Sequence, residues 1–143
     1  MTINYTKLKG VNNAIVALEQ EKAYDKITHP YLWRVLKKFT FPQELINMIK
    51  VLYKNAPTSV IVNRVISNPF HVTRGVRQGD PMSCILFDLG IEPLAANIHS
   101  SNIWGLEVPN LNENVVASLF ADDTTVILTE HDSFSSLIDI LDK

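Results

Sequence analysis

The sequence predicts an α+β fold, because short strand-like apolar runs alternate with segments whose apolar residues recur at helical spacing. Two observations carry this most directly. AIVAL (14–18) is a short apolar run bounded by polar residues, and VVASLFADDTTVILT (115–129) is two such runs meeting at Ala121-Asp122-Asp123. A third is the pair of amphipathic stretches around 30–54 together with a long apolar helix over about 82–98.

Taken in order, AIVAL reads as a buried strand ending at the acid Glu19. Thr28, His29 and Pro30 form a helix start, followed by Tyr31, Leu32, Val35, Leu36 and Phe39 at helical spacing, with Arg34, Lys37 and Lys38 on the other face. Pro42 opens a second helix with apolar positions Leu45, Ile46, Ile49, Leu52 and Tyr53, while Lys50 and Lys54 lie four apart and share a face. Residues 58–73, TSVIVNRVISNPFHVT, are two strand-like runs around a polar turn, hence a hairpin. TRGVRQGDPMS (73–83) breaks every periodicity and leads into the long helix, which Gly90 and Pro93 make irregular. A short strand is expected around Trp104 to Val108, then a polar loop, the two runs of 115–129, and a last helix in DSFSSLIDILDK.

Composition narrows the function classes. The 143 residues are 46% apolar, enough for one domain with a core. A single cysteine, Cys84, excludes a disulfide scaffold and a cysteine-rich zinc site. No apolar run approaches the roughly 18 residues of a membrane span, and no signal-peptide core opens the chain, so it reads as an intracellular protein without a membrane partner. The net charge of -2 conceals a segregation. Residues 1–77 carry twelve Lys or Arg against four Asp or Glu, whereas residues 78–143 carry one Lys against eleven acids. Segregated charge is compatible with a nucleic-acid partner and equally with two solvated faces.

Three segments hold candidate chemistry. Asp122 and Asp123 sit between two strand-like runs with no glycine beside them, unlike the Asn-Gly or Asp-Gly of a usual tight hairpin. They fit a solvated tip or a divalent cation, since Mg²⁺ takes one or two carboxylates plus substrate phosphates. Glu19, closing the first strand, is the candidate third carboxylate, or a charged residue opening the next segment. In RGVRQGDP (74–81), Gly75 and Gly79 permit close backbone approach, Arg74 and Arg77 suit phosphates, and Gln78 suits a base or sugar. The helix after Pro81 is expected to offer unsatisfied amides to an anion. The four histidines are scattered without ligand spacing, and no nucleophile elbow is present.

LEQEKAYD (18–25), RGVRQGDPMSCILF (74–87) and LFADDTTVI (119–127), in this order and spacing, resemble the reverse transcriptases of LINE-type (non-LTR) retrotransposons. The resemblance covers nearly the whole chain, taken as a partial reverse transcriptase domain over 1–143. It implies a polymerase palm-like antiparallel sheet packed against helices, with incomplete fingers and no thumb. The implied activity is RNA-directed DNA polymerisation, with an RNA template, a DNA primer, a dNTP and two Mg²⁺ ions as cofactors. By position, the resemblance assigns Asp122 and Asp123 to the paired catalytic acids and Glu19 to the family's first catalytic aspartate, all three as metal ligands. It places Tyr24 on the aromatic gate that crowds a ribose 2′-OH, and Arg77, Gln78 and Gly79 on the loop lining the nucleotide pocket. By analogy with the family, the nucleus is a compartment to expect.

One departure is chemical. The family has Asp where this chain has Glu19, and the extra methylene moves the carboxylate by about 1–1.5 Å. Mg²⁺ demands near-ideal distances, so an impaired polymerase site is expected. A non-catalytic nucleic-acid-binding remnant is the alternative, and a metal-dependent phosphotransferase or hydrolase on a palm-like sheet is a further one.

Overall fold

The computed structural model describes residues 2–7, 13–54, 57–109 and 112–142, the first of these by its strand pairing alone. In chain order the elements are β1 (Thr2–Lys7), β2 (Ala14–Glu19), α1 (Ala23–Lys26), α2 (His29–Lys38), α3 (Gln43–Lys54) and β3 (Pro57–Thr58). After these come β4 (Ile61–Val62), β5 (Val65–Ile66), β6 (Phe70–His71), α4 (Pro81–His99), β7 (Ala117–Phe120), β8 (Asp123–Leu128) and α5 (Phe134–Leu141). The fold is a mixed α+β fold, as the alternating patterns predict. Two compact units divide it, Met1–Ala23 with Ile91–Lys143, and Tyr24–Gly90.

The first unit is built on a four-stranded antiparallel sheet in the order β1-β2-β8-β7. Alternation decides which face is buried: Ala14, Val16 and Leu18 of β2 stand opposite Leu128, Val126 and Thr124 of β8, and all six are buried. Ile98 of α4, Ile103, Val116 and Leu137 of α5 complete the core on that face, with Leu94, Ile140 and Leu141 packed against it. Thr124 is the polar member of this row, its hydroxyl buried without a hydrogen-bond partner among the described residues. Most of this was legible as apolar runs. The strand β1 was not, because TINYTK is largely polar and takes its place by pairing with β2.

The strand expected over Trp104–Val108 shrinks to one bridge, Leu106 to Val115. The reason is a carboxylate. Asp132 accepts the backbone N–H groups of Trp104 (2.6 Å), Thr129 (2.8 Å) and Gly105 (3.3 Å) and the Thr129 hydroxyl (2.9 Å), so amides a ladder would use go to a side chain. Residues 110 and 111 of the following polar loop lie outside the described residues.

In the second unit, Thr28 stands at the N-terminus of α2 with Pro30 in its first turn, as the sequence predicts, although the Thr28 side chain makes no capping bond. Leu32, Val35 and Leu36 of α2 and Ile46, Ile49 and Tyr53 of α3 are buried. Leu45 and Leu52 of α3, expected on the apolar stripe, are exposed instead. Tyr31 donates to the Gly90 carbonyl of α4 at 2.8 Å, and burial pushes its pKa above the usual tyrosine value despite nearby Arg34. The predicted hairpin over 58–73 is present as two nested pairs, β3 with β6 and β4 with β5, turning at Asn63-Arg64, both with positive φ.

Asp132 also sets an acid limit on the first unit. Burial works against its charge, but the hydrogen bonds from Thr129, Trp104 and Gly105 outweigh that and hold its pKa below the ordinary carboxylate value. Its contribution to stability is therefore fully present above the unfolded-state pKa of about 4 and is lost as pH falls through the folded value. Asp132→Asn should lower Tm at pH 7 and flatten the acid limb of a Tm-against-pH curve. An acid limb of unchanged slope would refute this assignment.

Candidate functional site

Two carboxylates of the first unit stand opposite each other at one end of its sheet. In the β2–β8 register, Glu19 stands directly opposite Asp123, and Phe120 of β7 stands on the other side of Asp123. Leu18 and Thr124 turn into the core, so alternation sends Glu19 and Asp123 to the opposite face, where both are exposed. Directly opposed residues in an antiparallel pair hold their Cβ atoms about 4.5–5.5 Å apart. Two like charges at that separation repel, and among the described residues no lysine or arginine forms an ion pair with either.

Ala121 and Asp122 make the turn between β7 and β8. Ala121 takes φ 51°, so the tight hairpin forms without a glycine in the turn. For a residue with a Cβ this region costs about 1–2 kcal/mol. Asp122 occupies the second turn position, exposed, beside the Glu19–Asp123 pair in sequence order. The opposed pair has the donor chemistry of a divalent-cation site that takes one or two carboxylates. Among the described residues, however, no three His, Cys, Asp or Glu side chains gather around one point.

The second unit holds the other candidates. Gly75 N–H donates to the Ile27 carbonyl (2.6 Å), Val76 N–H to the Tyr24 carbonyl (2.8 Å), and Thr28 bridges Arg74. These bonds seam residues 74–76 to residues 24–28. The His29 ring adds a donated bond to the Gly75 carbonyl at 3.0 Å. Tyr24 lies flat on buried Phe87 of α4, the ring centroids 4.3 Å apart and the planes at 6°. Its ring is thereby held in one orientation. Residues 77–80 form a turn closed by Asp80 N–H on the Arg77 carbonyl (3.3 Å), with Gln78 and Gly79 at its tip. Gly79 has φ 85°, the value a type II turn requires at its third residue.

A cleft of about 290 Å³ in this unit is lined by Asp25, His29, Tyr53, Arg74, Arg77 and Gln78 among others. The structure thus brings Arg77 and Gln78 into one cleft; Tyr24 and Gly79 flank it in sequence without lining it. His29 and Tyr53 were not singled out as site residues, because a histidine and a tyrosine on separate helices carry no local signal of convergence. The expected anion site at the start of α4 does not materialise. Pro81 has no N–H, the Met82 N–H is taken by the Asp80 carboxylate (3.0 Å), and the Ser83 N–H by the Asp80 carbonyl (3.0 Å).

The profile of the reverse transcriptase (RNA-dependent DNA polymerase) family matches residues 2–143. The chain belongs to that family. Its relatives include the "Transposon TX1 uncharacterized 149 kDa protein" of Xenopus laevis, 34% identical over 125 residues, which are 87% of this chain and 10% of the relative. The "Retrovirus-related Pol polyprotein from type-1 retrotransposable element R2" of Popillia japonica is 29% identical over 87% of the chain and 20% of its own length. The corresponding type-2 element R2DM protein of Drosophila melanogaster is 30% identical over 87% of the chain and 11% of its own length. The chain therefore spans between a tenth and a fifth of these relatives, and its kinship is with non-LTR retrotransposon Pol proteins. Among the described residues no helix is long and apolar enough to cross a membrane.

The seam in the second unit makes a sharp prediction about its glycines. A Cβ at Gly75 would lie 3.0 Å from both the Asp25 Cα and the Tyr24 carbonyl oxygen, whereas a Cβ at Gly79 would meet nothing within 4 Å. Gly79→Ala should cost only the backbone penalty of its positive φ, about 1–2 kcal/mol. Gly75→Ala carries that penalty plus a backbone clash and should destabilise more in urea unfolding. Equal losses would show that the seam yields.

Proposed function

We propose that this chain is a nucleic-acid-binding domain of a retrotransposon-type reverse transcriptase whose catalytic edge is impaired. The observation that supports the reading is the register of Glu19 on Asp123, a glutamate at a position for which the resemblance calls for an aspartate, in a chain of that family. On this reading the antiparallel sheet of the first unit is palm-like. The partners are an RNA template, a DNA primer and a dNTP, in keeping with the relatives named as Pol polyproteins.

Glu19, Asp122 and Asp123 would hold Mg²⁺, which when bound would sharpen a primer 3′-OH as nucleophile and offset charge on the triphosphate. The residues themselves supply position and charge. β2 and β8 present Glu19 and Asp123 from one sheet face, and the turn presents Asp122. Arg77 and Gln78 would meet phosphate and sugar from their cleft, and the Tyr24 ring, braced on Phe87, would crowd a 2′-OH. The longer Glu19 side chain displaces its carboxylate by about 1–1.5 Å. A misplacement of about 1 Å costs on the order of a hundredfold in rate. Binding does not depend on that placement. The twelve Lys and Arg of residues 1–77 supply phosphate contacts, whose affinity falls with salt.

Primer extension on an RNA template in Mg²⁺, with the chain set in the polymerase context of a relative, tests the proposal. The parent should bind primer–template but extend it about a hundredfold more slowly than Glu19→Asp, and Asp122→Ala should extend it no further than background. Equal extension by the parent and Glu19→Asp would sink the impairment, and absence of salt-sensitive binding would sink the nucleic-acid reading.

A further inference from the structure

The second unit contains a larger groove than the loop cleft. It has a volume of about 690 Å³, and His29, Trp33, Tyr53, Lys50, Lys54 and His71 supply its rings and charges. The three rings from α2 and α3 brace one another. His29 and Tyr53 meet edge to face at 5.2 Å and 82°, Trp33 and Tyr53 at 6.1 Å and 78°, and His29 tilts 42° against Trp33 at 5.7 Å. Tyr53 is buried and its hydroxyl lies 3.4 Å from Ser83 Oγ, so the floor is fixed, while Trp33 is half-buried and reachable.

The charge on this groove has one sign. Lys50 and Lys54 stand one turn apart on α3, about 6 Å along its axis, comparable to the step between successive phosphates of an extended strand. Lys50 Nζ lies 5.9 Å from the Trp33 ring centroid, so a phosphate held by that lysine brings its own base within reach of the indole. No carboxylate lines the groove among the described residues. Flat rings interleaved with ammonium groups are the chemistry that takes up bases and phosphates together, because every base offers a π-face and every linkage a charge. An apolar peptide would leave the ammonium groups unpaired, and a free phosphate would make no use of the rings.

We propose that this groove, which shares His29 and Tyr53 with the loop cleft, is a binding site for single-stranded nucleic acid. A base stacks on Trp33, and the flanking phosphates meet Lys50 and Lys54. The inference rests on the reading that the partner of this chain is nucleic acid, and it adds where that partner lies.

Intrinsic fluorescence isolates the groove, because the chain has two tryptophans and Trp104 is remote in sequence from the groove residues. In the 143-residue chain carrying Trp104→Phe, a short single-stranded oligoadenylate should quench Trp33 emission saturably, and inorganic phosphate alone should not. Lys50→Gln with Lys54→Gln should weaken binding and reduce the slope of log K against log salt by about 1.4, the loss of two phosphate contacts. Trp33→Leu should weaken binding of the labelled oligonucleotide about tenfold. Binding by anisotropy with Trp33 emission unchanged, or a quench indifferent to both lysines, would overturn the groove while the nucleic-acid reading stands. No binding at low salt by the parent chain would overturn both.

Discussion

The register of β2 against β8 is the constraint on which the first unit and its candidate chemistry both depend. Side chains alternate strictly along a strand, so slipping that pairing by one residue would send Val16, Leu18, Val126 and Leu128 to the exposed face. Burying four such side chains is worth several kcal/mol, at about 1.5–3 each. Repulsion between one pair of opposed carboxylates is far smaller, within about 1 kcal/mol. The core therefore dictates the register, and the register sets Glu19 across from Asp123 whatever that costs.

The second unit is organised by a backbone seam. Residues 74–76 are tied to residues 24–28 by main-chain bonds, Gly75 allows the approach, and the His29 ring closes the join. One seam consequently fixes two features, the orientation of the Arg77–Asp80 turn and the stacking of Tyr24 on Phe87. The same His29 also faces Trp33 and Tyr53. His29 and Tyr53 thus belong both to the loop cleft and to the aromatic groove beside it. The basic character that the sequence shows only as a bias of residues 1–77 becomes, at Lys50 and Lys54, a paired and directed charge.

How much of this the sequence showed follows from how local each cause is. AIVAL, the helix starts at Thr28 and Pro42, the hairpin over 58–73 and the two runs around Asp122 all follow from periodicity and turn chemistry, and all are present. The register of Glu19 on Asp123 was not readable from either segment, since pairing between strands a hundred residues apart leaves no local trace; the sequence offered Glu19 only as a candidate third carboxylate at a strand end. The expected strand and the expected anion site failed for nonlocal reasons. Asp132 takes the amides that a strand at Trp104–Val108 would need. Asp80 satisfies the start of α4 itself. The groove floor was invisible for the same reason, because Trp33 and Tyr53 look like ordinary stripe residues until their helices pack.

The central claim is that Glu19 and Asp123 face each other as a repelling pair, the pair the proposed function assigns to a metal ion. A double-mutant cycle of Glu19→Gln and Asp123→Asn, measured by urea unfolding without divalent ions, tests it most directly. Each single change should stabilise the chain by about 0.2–1 kcal/mol, and the double change should gain little beyond either one, because the same repulsion is removed once. Additive effects, or no gain from either change, would mean the two carboxylates do not face each other, and the account of this edge would fail.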